Sequence, residues 1–176
     1  MSQVNNHPNW LNEQSSISNM AQIFIKSKIK VATAESCTGG EIVSSITHED
    51  GSSKIINFSL IAYSPEIKQK ILGVPAELTT DETIVSFETA EAMNIGLQNF
   101  FVAHGLEKRD FYITITGWIG SNPIADSSEV YFTIASNSKQ MKTFHVFVNQ
   151  GRNKEEKKRL IVKRIFLELL DLIEFK

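Results

Sequence analysis

The residues of this chain best suited to chemistry stand in one short stretch, Ala34-Glu35-Ser36-Cys37-Thr38-Gly39-Gly40, where small apolar residues give way to hydroxyls, a thiol and two glycines. Lys30-Val31-Ala32-Thr33-Ala34 reads as a short buried strand, and the helix after it begins at the glycines. The stretch is therefore a strand-to-helix turn. Such a turn leaves backbone N–H groups facing the loop at the positive end of a helix dipole, where a phosphate or an oxyanion can be held. On the turn alone the commoner use of Ser36 or Thr38 is to cap the helix.

A second group sharpens the reading. Lys68 falls in the first turn of a short helix opened by Ser64-Pro65, where the positive dipole end disfavours an ammonium and lowers its pKa. If Lys68 reaches Ser36, the two make a serine–lysine pair, a form of nucleophile activation that needs no histidine. Tyr63 ends the strand feeding that corner, so its hydroxyl could relay a proton or orient the lysine. The bland alternative for Lys68 is a solvated charge on a surface helix. Cys37 is the single cysteine, and none of the four histidines is placed to activate it, which favours a small, partly buried residue over a nucleophile. The histidines and carboxylates have no ligand spacing that would suit a metal.

These residues need a frame. A helix over about Asn12 to Lys28 precedes the first strand, and Ile42, Val43 and Ile46 line the helix after the turn. Gly51-Ser52-Ser53 closes that unit before a second strand from Ile55 to Tyr63. Strand, helix and strand in succession make a crossover unit and a sheet that is at least partly parallel. Gly73 is placed to end the Pro65 helix, and Phe87, Ala90, Met93, Leu97 and Phe101 form the stripe of a long amphipathic helix from Ser86 to His104. Phe111 to Thr116 alternates as a strand that Thr116-Gly117 should end in a loop. Glu129–Ser136 and Met141–Val148 flank a polar turn as a hairpin. Asn153 and Glu156 form a capping box for the last helix. The expected fold is a three-layer α/β/α sandwich on a mixed sheet of mostly five strands. Three loops that follow strands, at Glu35 to Gly40, Tyr63 to Pro65 and Thr116 to Ser121, should collect at its carboxyl edge, where open sheets bind ligands.

Composition excludes several classes. With 176 residues, 41% of them hydrophobic, the chain suits one domain, taken here as residues 11–176 behind a flexible N-terminus of residues 1–10. A net charge of -2 gives no field that would hold nucleic acid or an anionic membrane. No apolar run approaches the roughly 20 residues of a membrane span, and the start lacks a secretion signal. A lone cysteine favours a reducing compartment, so a cytoplasmic protein is expected.

At Thr33-Ala34-Glu35-Ser36-Cys37-Thr38-Gly39-Gly40 the sequence resembles the signature of the CinA C-terminal domain family, whose characterised members include nicotinamide mononucleotide deamidase. The likeness continues through Gly51-Ser52-Ser53, Tyr63-Ser64 with Lys68, Leu72-Gly73-Val74, Val85-Ser86, Thr116-Gly117 and Gly151-Arg152, in the family's order. It implies a bacterial amidohydrolase of the pyridine nucleotide cycle, part of NAD metabolism. Such an enzyme converts nicotinamide mononucleotide to nicotinic acid mononucleotide and ammonia without metal or cofactor. In that likeness Ser36 attacks the amide carbon, Lys68 takes its proton and Tyr63 assists. Glu35, Thr38, Gly39, Gly40, Thr116, Gly117 and Arg152 make up the implied substrate-binding set. Turn amides near Thr38 and Gly39 would serve an oxyanion, and Arg152 would face the substrate phosphate. The expected partner is a small nucleotide, with a homo-oligomer compatible.

The chain departs from the family pattern at Ser59-Leu60-Ile61-Ala62, where glycines are usual, and at Trp118-Ile119-Gly120-Ser121, which is bulkier and lacks a proline. Ser127-Ser128-Glu129 replaces a glycine-rich stretch, and Gln150-Gly151-Arg152 lacks an acid often found there. Larger side chains in place of glycine would narrow or reshape the pocket. The alternative to an enzyme is accordingly a divergent paralogue that binds a nucleotide or a protein partner without hydrolysis.

Overall fold

The computed structural model describes residues 16–120, 128–137, 140–148 and 153–174. The expected flexible segment, residues 1–10, lies outside them. A helix α1 (Ile17–Lys26), capped by Ser16, precedes β1 (Val31–Glu35), α2 (Glu41–Thr47) and β2 (Ile56–Ile61). Then come α3 (Pro65–Leu72), α4 (Phe87–Ala103), β3 (Phe111–Trp118), β4 (Ser128–Ser136), β5 (Met141–Val148) and α5 (Lys154–Glu174). The local signals act as their chemistry requires. Ser64 accepts from the Ile67 N–H and Pro65 fills the first helical position, while Gly73 ends α3 with φ 64°. Asn153 and Glu156 exchange hydrogen bonds of 3.1 and 2.8 Å at the start of α5, a complete capping box.

The five strands lie in the order β2-β1-β3-β4-β5, with β2, β1 and β3 parallel and β4 antiparallel to both of its neighbours. The sheet is therefore mixed, as expected. One face, carrying Phe111, Ile113, Ile115, Phe132 and Phe144, packs against α1, α2 and α5. The other, with Ala32, Ala34 and Tyr112, packs against α3 and α4. The result is a three-layer α/β/α sandwich with two apolar cores.

From β1 the chain crosses by α2 to β2 on one side, and then by α3 and α4 to β3 on the other. With right-handed crossovers these helices must lie on opposite faces, which opens a crevice at the carboxyl end of β1. One expectation needs correcting. Thr116-Gly117 does not end β3 in a loop, because the strand runs on to Trp118 and Gly117 pairs with Val130. A Cβ on Gly117 would lie 2.6 Å from the Glu129 carbonyl oxygen, so glycine here lets two strands approach closely.

Candidate active site

Glu35 builds the turn. The residue is fully buried, and its carboxylate accepts from Thr38 Oγ1 at 2.8 Å and from the N–H groups of Gly40, Ile42 and Val43 at 3.1, 3.0 and 3.0 Å. Gly40, the residue before α2, has no side chain to cap the helix, and Glu35 does that work from the end of β1. Glu35 was expected among the substrate-binding residues, but its oxygens are consumed in holding the loop. The same holds for the Thr38 hydroxyl and the Gly40 amide. Gly39 donates its N–H to the Ser36 carbonyl at 3.0 Å. The N–H of Thr38 has no acceptor among the described residues.

Ser36 is pinned where strand becomes turn by its own N–H, which donates to Ile115 O at 3.2 Å. Its hydroxyl meets the side chain of Lys68. Lys68 is almost fully buried, and Nζ lies 3.0 Å from Ser36 Oγ, 2.8 Å from the Ala62 carbonyl oxygen and 3.4 Å from that of Tyr63. A solvated surface charge is thereby ruled out. Burial pulls the Lys68 pKa from 10.5 down to about 8, against a smaller opposing pull from Cys37. The direction agrees with the sequence reading, but the leading cause is desolvation.

Tyr63 enters differently from the expectation. Its backbone oxygen faces Lys68, while its side chain is 64% exposed and its hydroxyl has no hydrogen-bond partner among the described residues. Cys37 is buried beside Ser36, and desolvation pushes its thiol up to about 12. At neutral pH it keeps its proton, so it is not an activated nucleophile.

Ser36, Lys68 and the Tyr63 ring open on a pocket of about 340 Å³. The three loops expected to converge do so, for Pro65 and the run Thr116 to Ile119 complete much of its wall. The Thr116 hydroxyl is turned to Ile84 O at 2.6 Å. Trp118 is 43% exposed at the rim, whereas Ile119 is 8% exposed and belongs to the larger core. By contrast, none of Ser59, Leu60, Ile61 and Ala62 lines the pocket, so the bulk expected to narrow it from that side does not reach it. Arg152 and Ser121 lie outside the described residues.

The sequence reading missed Asp81, Ile84 and Val85, from the loop between α3 and α4, and Lys154, from the start of α5, all of which line the pocket. It also missed Lys158, whose Nζ would lie 3.3 Å from a Cβ on Gly39. The four-residue spacing of Lys154 and Lys158 on a recognised helix was the signal available. Among the described residues no cluster of His, Cys, Asp and Glu suits a metal ion.

Residues 13–172 match the family model described as the CinA C-terminal domain. A CinA-like protein of Flavobacterium psychrophilum is 30% identical over 154 residues, which cover 88% of this chain and 34% of that protein. Another CinA-like protein, from Shewanella denitrificans, is 32% identical over 85% of this chain and 34% of its own length. The chain thus spans about a third of these curated relatives. Among solved structures, the competence damage-inducible protein A of Klebsiella pneumoniae superposes with a TM-score of 0.75 at 20% identity, covering 91% of this chain and 98% of that one. The competence/damage inducible protein of Agrobacterium tumefaciens does so with a TM-score of 0.71 at 26% identity, covering 91% and 96%.

Proposed function

The chain belongs to the CinA C-terminal domain family, and from that premise we propose that it is an amidohydrolase of nicotinamide mononucleotide, with Ser36 as nucleophile and Lys68 as base. The observation that carries the reading is the buried approach of Lys68 Nζ to Ser36 Oγ at 3.0 Å. A neutral lysine amine has two hydrogens and one lone pair. The Ala62 and Tyr63 carbonyl oxygens take the hydrogens, which leaves the lone pair for the Ser36 O–H.

In the proposed reaction Ser36 Oγ bonds to the carboxamide carbon as its proton passes to Lys68. The carbonyl oxygen becomes an oxyanion that the Thr38 N–H can meet. Collapse breaks the C–N bond, and Lys68 returns the proton to the departing ammonia. Water then attacks the acyl ester as Lys68 takes one of its protons, and collapse breaks the bond to Ser36 Oγ, to which Lys68 returns that proton, freeing nicotinic acid mononucleotide and restoring both Ser36 and the neutral amine. Tyr63 and the Thr116-Gly117 wall bound the substrate, and Arg152 adds charge toward its phosphate. A pocket of about 340 Å³ is in the range used for small ligands. No group on this path requires a metal or cofactor.

The test is ammonia release on mixing the protein with nicotinamide mononucleotide, in parallel with Ser36→Ala. The parent should turn over and the variant should not, while the variant loses no more than the roughly 2 kcal/mol of stability that a single turn hydroxyl can contribute. Equal turnover by Ser36→Ala would exclude Ser36. A thermal shift by the nucleotide without turnover in the parent would favour the binding-only paralogue, the reading that the bulky Trp118 at the rim supports.

A further inference from the structure

Two stripes of apolar side chains run along α4. One, with Met93, Leu97 and Phe101, is buried in the core between helix and sheet. The other, Ala92, Ile95 and Val102 with Asn99 among them, recurs at steps of three and four residues and so shares one side of the helix. That side faces outward, with Ile95 50% and Val102 70% exposed. From Ala92 to Ala103 the helix holds no charged residue at all. A solvated helix face is normally charged or polar, and a helix that is apolar all round is normally covered all round. Beside the stripe, α3 and α4 leave a groove of about 530 Å³, walled by Ile71 and Pro75 on one side and by Ile95 and Ala103 on the other. Continuous apolar surface of this kind marks a place where a protein meets another.

The charges at the two ends indicate what covers it. Glu88 stands at the N-terminal end of the stripe and Lys108 just beyond its C-terminal end, both exposed. Neither has an ion-pair partner among the described residues, whereas Glu107, next to Lys108, is paired with Lys30. Lay a second α4 on the first, antiparallel about a twofold axis at Leu97, and Glu88 of each copy comes to the Leu106–Lys108 end of the other. The same operation sets the small Ala92 opposite the larger Val102. Parallel pairing would instead set Glu88 against Glu88.

We infer that the outer face of α4 and the groove beside it form a self-association surface, on which a second copy of this chain docks with its α4 antiparallel to the first. The same patch serves both copies, so the assembly closes at two. The groove lies between α4 and the helix that carries Lys68, so a copy seated in it braces those two helices against each other. The inference is independent of the amidohydrolase reading.

The experiment is sedimentation equilibrium over a range of protein concentrations, for the parent, Val102→Glu, Glu88→Lys, Lys108→Glu and the variant that carries both charge reversals. The parent should reach the mass of two chains. Val102→Glu buries a carboxylate in the apolar contact and should stay at the mass of one chain wherever the parent pairs. Its melting temperature, measured where the parent is dissociated, should match the parent's, because the side chain it alters is open to solvent. Each single charge reversal should weaken pairing about tenfold, since the symmetry repeats the contact twice, and the combined reversal should restore it. A parent that keeps the mass of one chain at every concentration, or a dimer that Val102→Glu leaves intact, would overturn the surface. Failure of the combined reversal to restore pairing would overturn the antiparallel arrangement. None of these readings uses ammonia release, so the surface and the amidohydrolase reading can fail separately.

Discussion

The Lys68 amine nitrogen lies 3.0 Å from the Ser36 hydroxyl at an almost fully buried position, and burial has brought its pKa down to about 8. The activity of such a pair follows the neutral amine. Turnover of nicotinamide mononucleotide should therefore rise with pH and level off above about 8. Lys68→Met keeps the bulk of the stem but removes the base, so ammonia release should fall to background at every pH. Parent-like turnover in that variant would sink the dyad.

The same shift bears on stability. The unfolded chain holds the Lys68 proton up to 10.5, whereas the folded chain releases it near 8, so between those values the unfolded state binds more protons. Folding stability should thus rise with pH across that window, and the penalty of burying the charged amine is in full force below it. Denaturant melts of the parent at the two ends of the window should differ in that direction. Lys68→Met should lack this contribution to the slope and be at least as stable as the parent near neutrality.

Glu35 is the second test of the turn. Its carboxylate answers the N–H groups of Gly40, Ile42 and Val43 and the hydroxyls of Thr38 and, at 3.4 Å, Thr33, and its removal strands these buried and part-buried donors. Glu35→Ala should cost about 3 kcal/mol or more and take activity with it, because the Ser36 turn loses its anchor. A melting temperature within a degree or two of the parent's would show that the donors find other acceptors.

These two residues mark how far the sequence could be read. The order of strands and helices, the Ser64 and Asn153 caps and the meeting of three loops at one edge were legible because each rests on local chemistry or on the topology of crossovers. The pairing of Ser36 with Lys68 followed from that topology together with the family likeness. What Glu35 does was not legible, since a carboxylate beside a nucleophile looks the same whether it meets substrate or caps a helix seven residues on. The Tyr63 contact was misplaced because a sequence displays side chains, and here the backbone oxygen touches the lysine. Lys154 and Lys158 were passed over because charged residues in the opening turns of a helix usually form only a solvated face.

Gly96 of α4 stands against the end of the helix that carries Lys68. A Cβ there would fall 1.8 Å from the Leu72 carbonyl oxygen, so α3 and α4 meet backbone to backbone at this point. Gly96→Ala must drive the helices apart at a cost of about 3 kcal/mol, near the top of the range for overpacking. Lys68 should shift with α3, so kcat should drop more than the lowered melting temperature explains when assayed well below the melt. Unchanged kcat at that temperature would mean that the lysine is held by the Ala62 and Tyr63 carbonyls and not by the helix pairing.

The last prediction concerns Trp118 and Ile119, the bulky pair that follows Thr116-Gly117. Both line the pocket, but they are held differently, with Trp118 at 43% exposure on the rim and Ile119 at 8% inside the larger core. The single variants should therefore separate. Trp118→Ile removes a ring from the rim and should change stability by no more than about 1 kcal/mol, because a largely open side chain leaves little cavity behind. If the indole crowds the substrate, turnover of nicotinamide mononucleotide should rise, by relief of a clash of about 1 to 3 kcal/mol. Ile119→Ala takes three carbons out of a packed core and should cost about 2 to 4 kcal/mol whatever it does for the site. Ammonia release beside a melting curve for each variant reads both effects. A gain in turnover for Trp118→Ile with the melt nearly unmoved supports a restricted rim. A loss of turnover at constant stability would show the opposite, that the indole is a wall the substrate rests on.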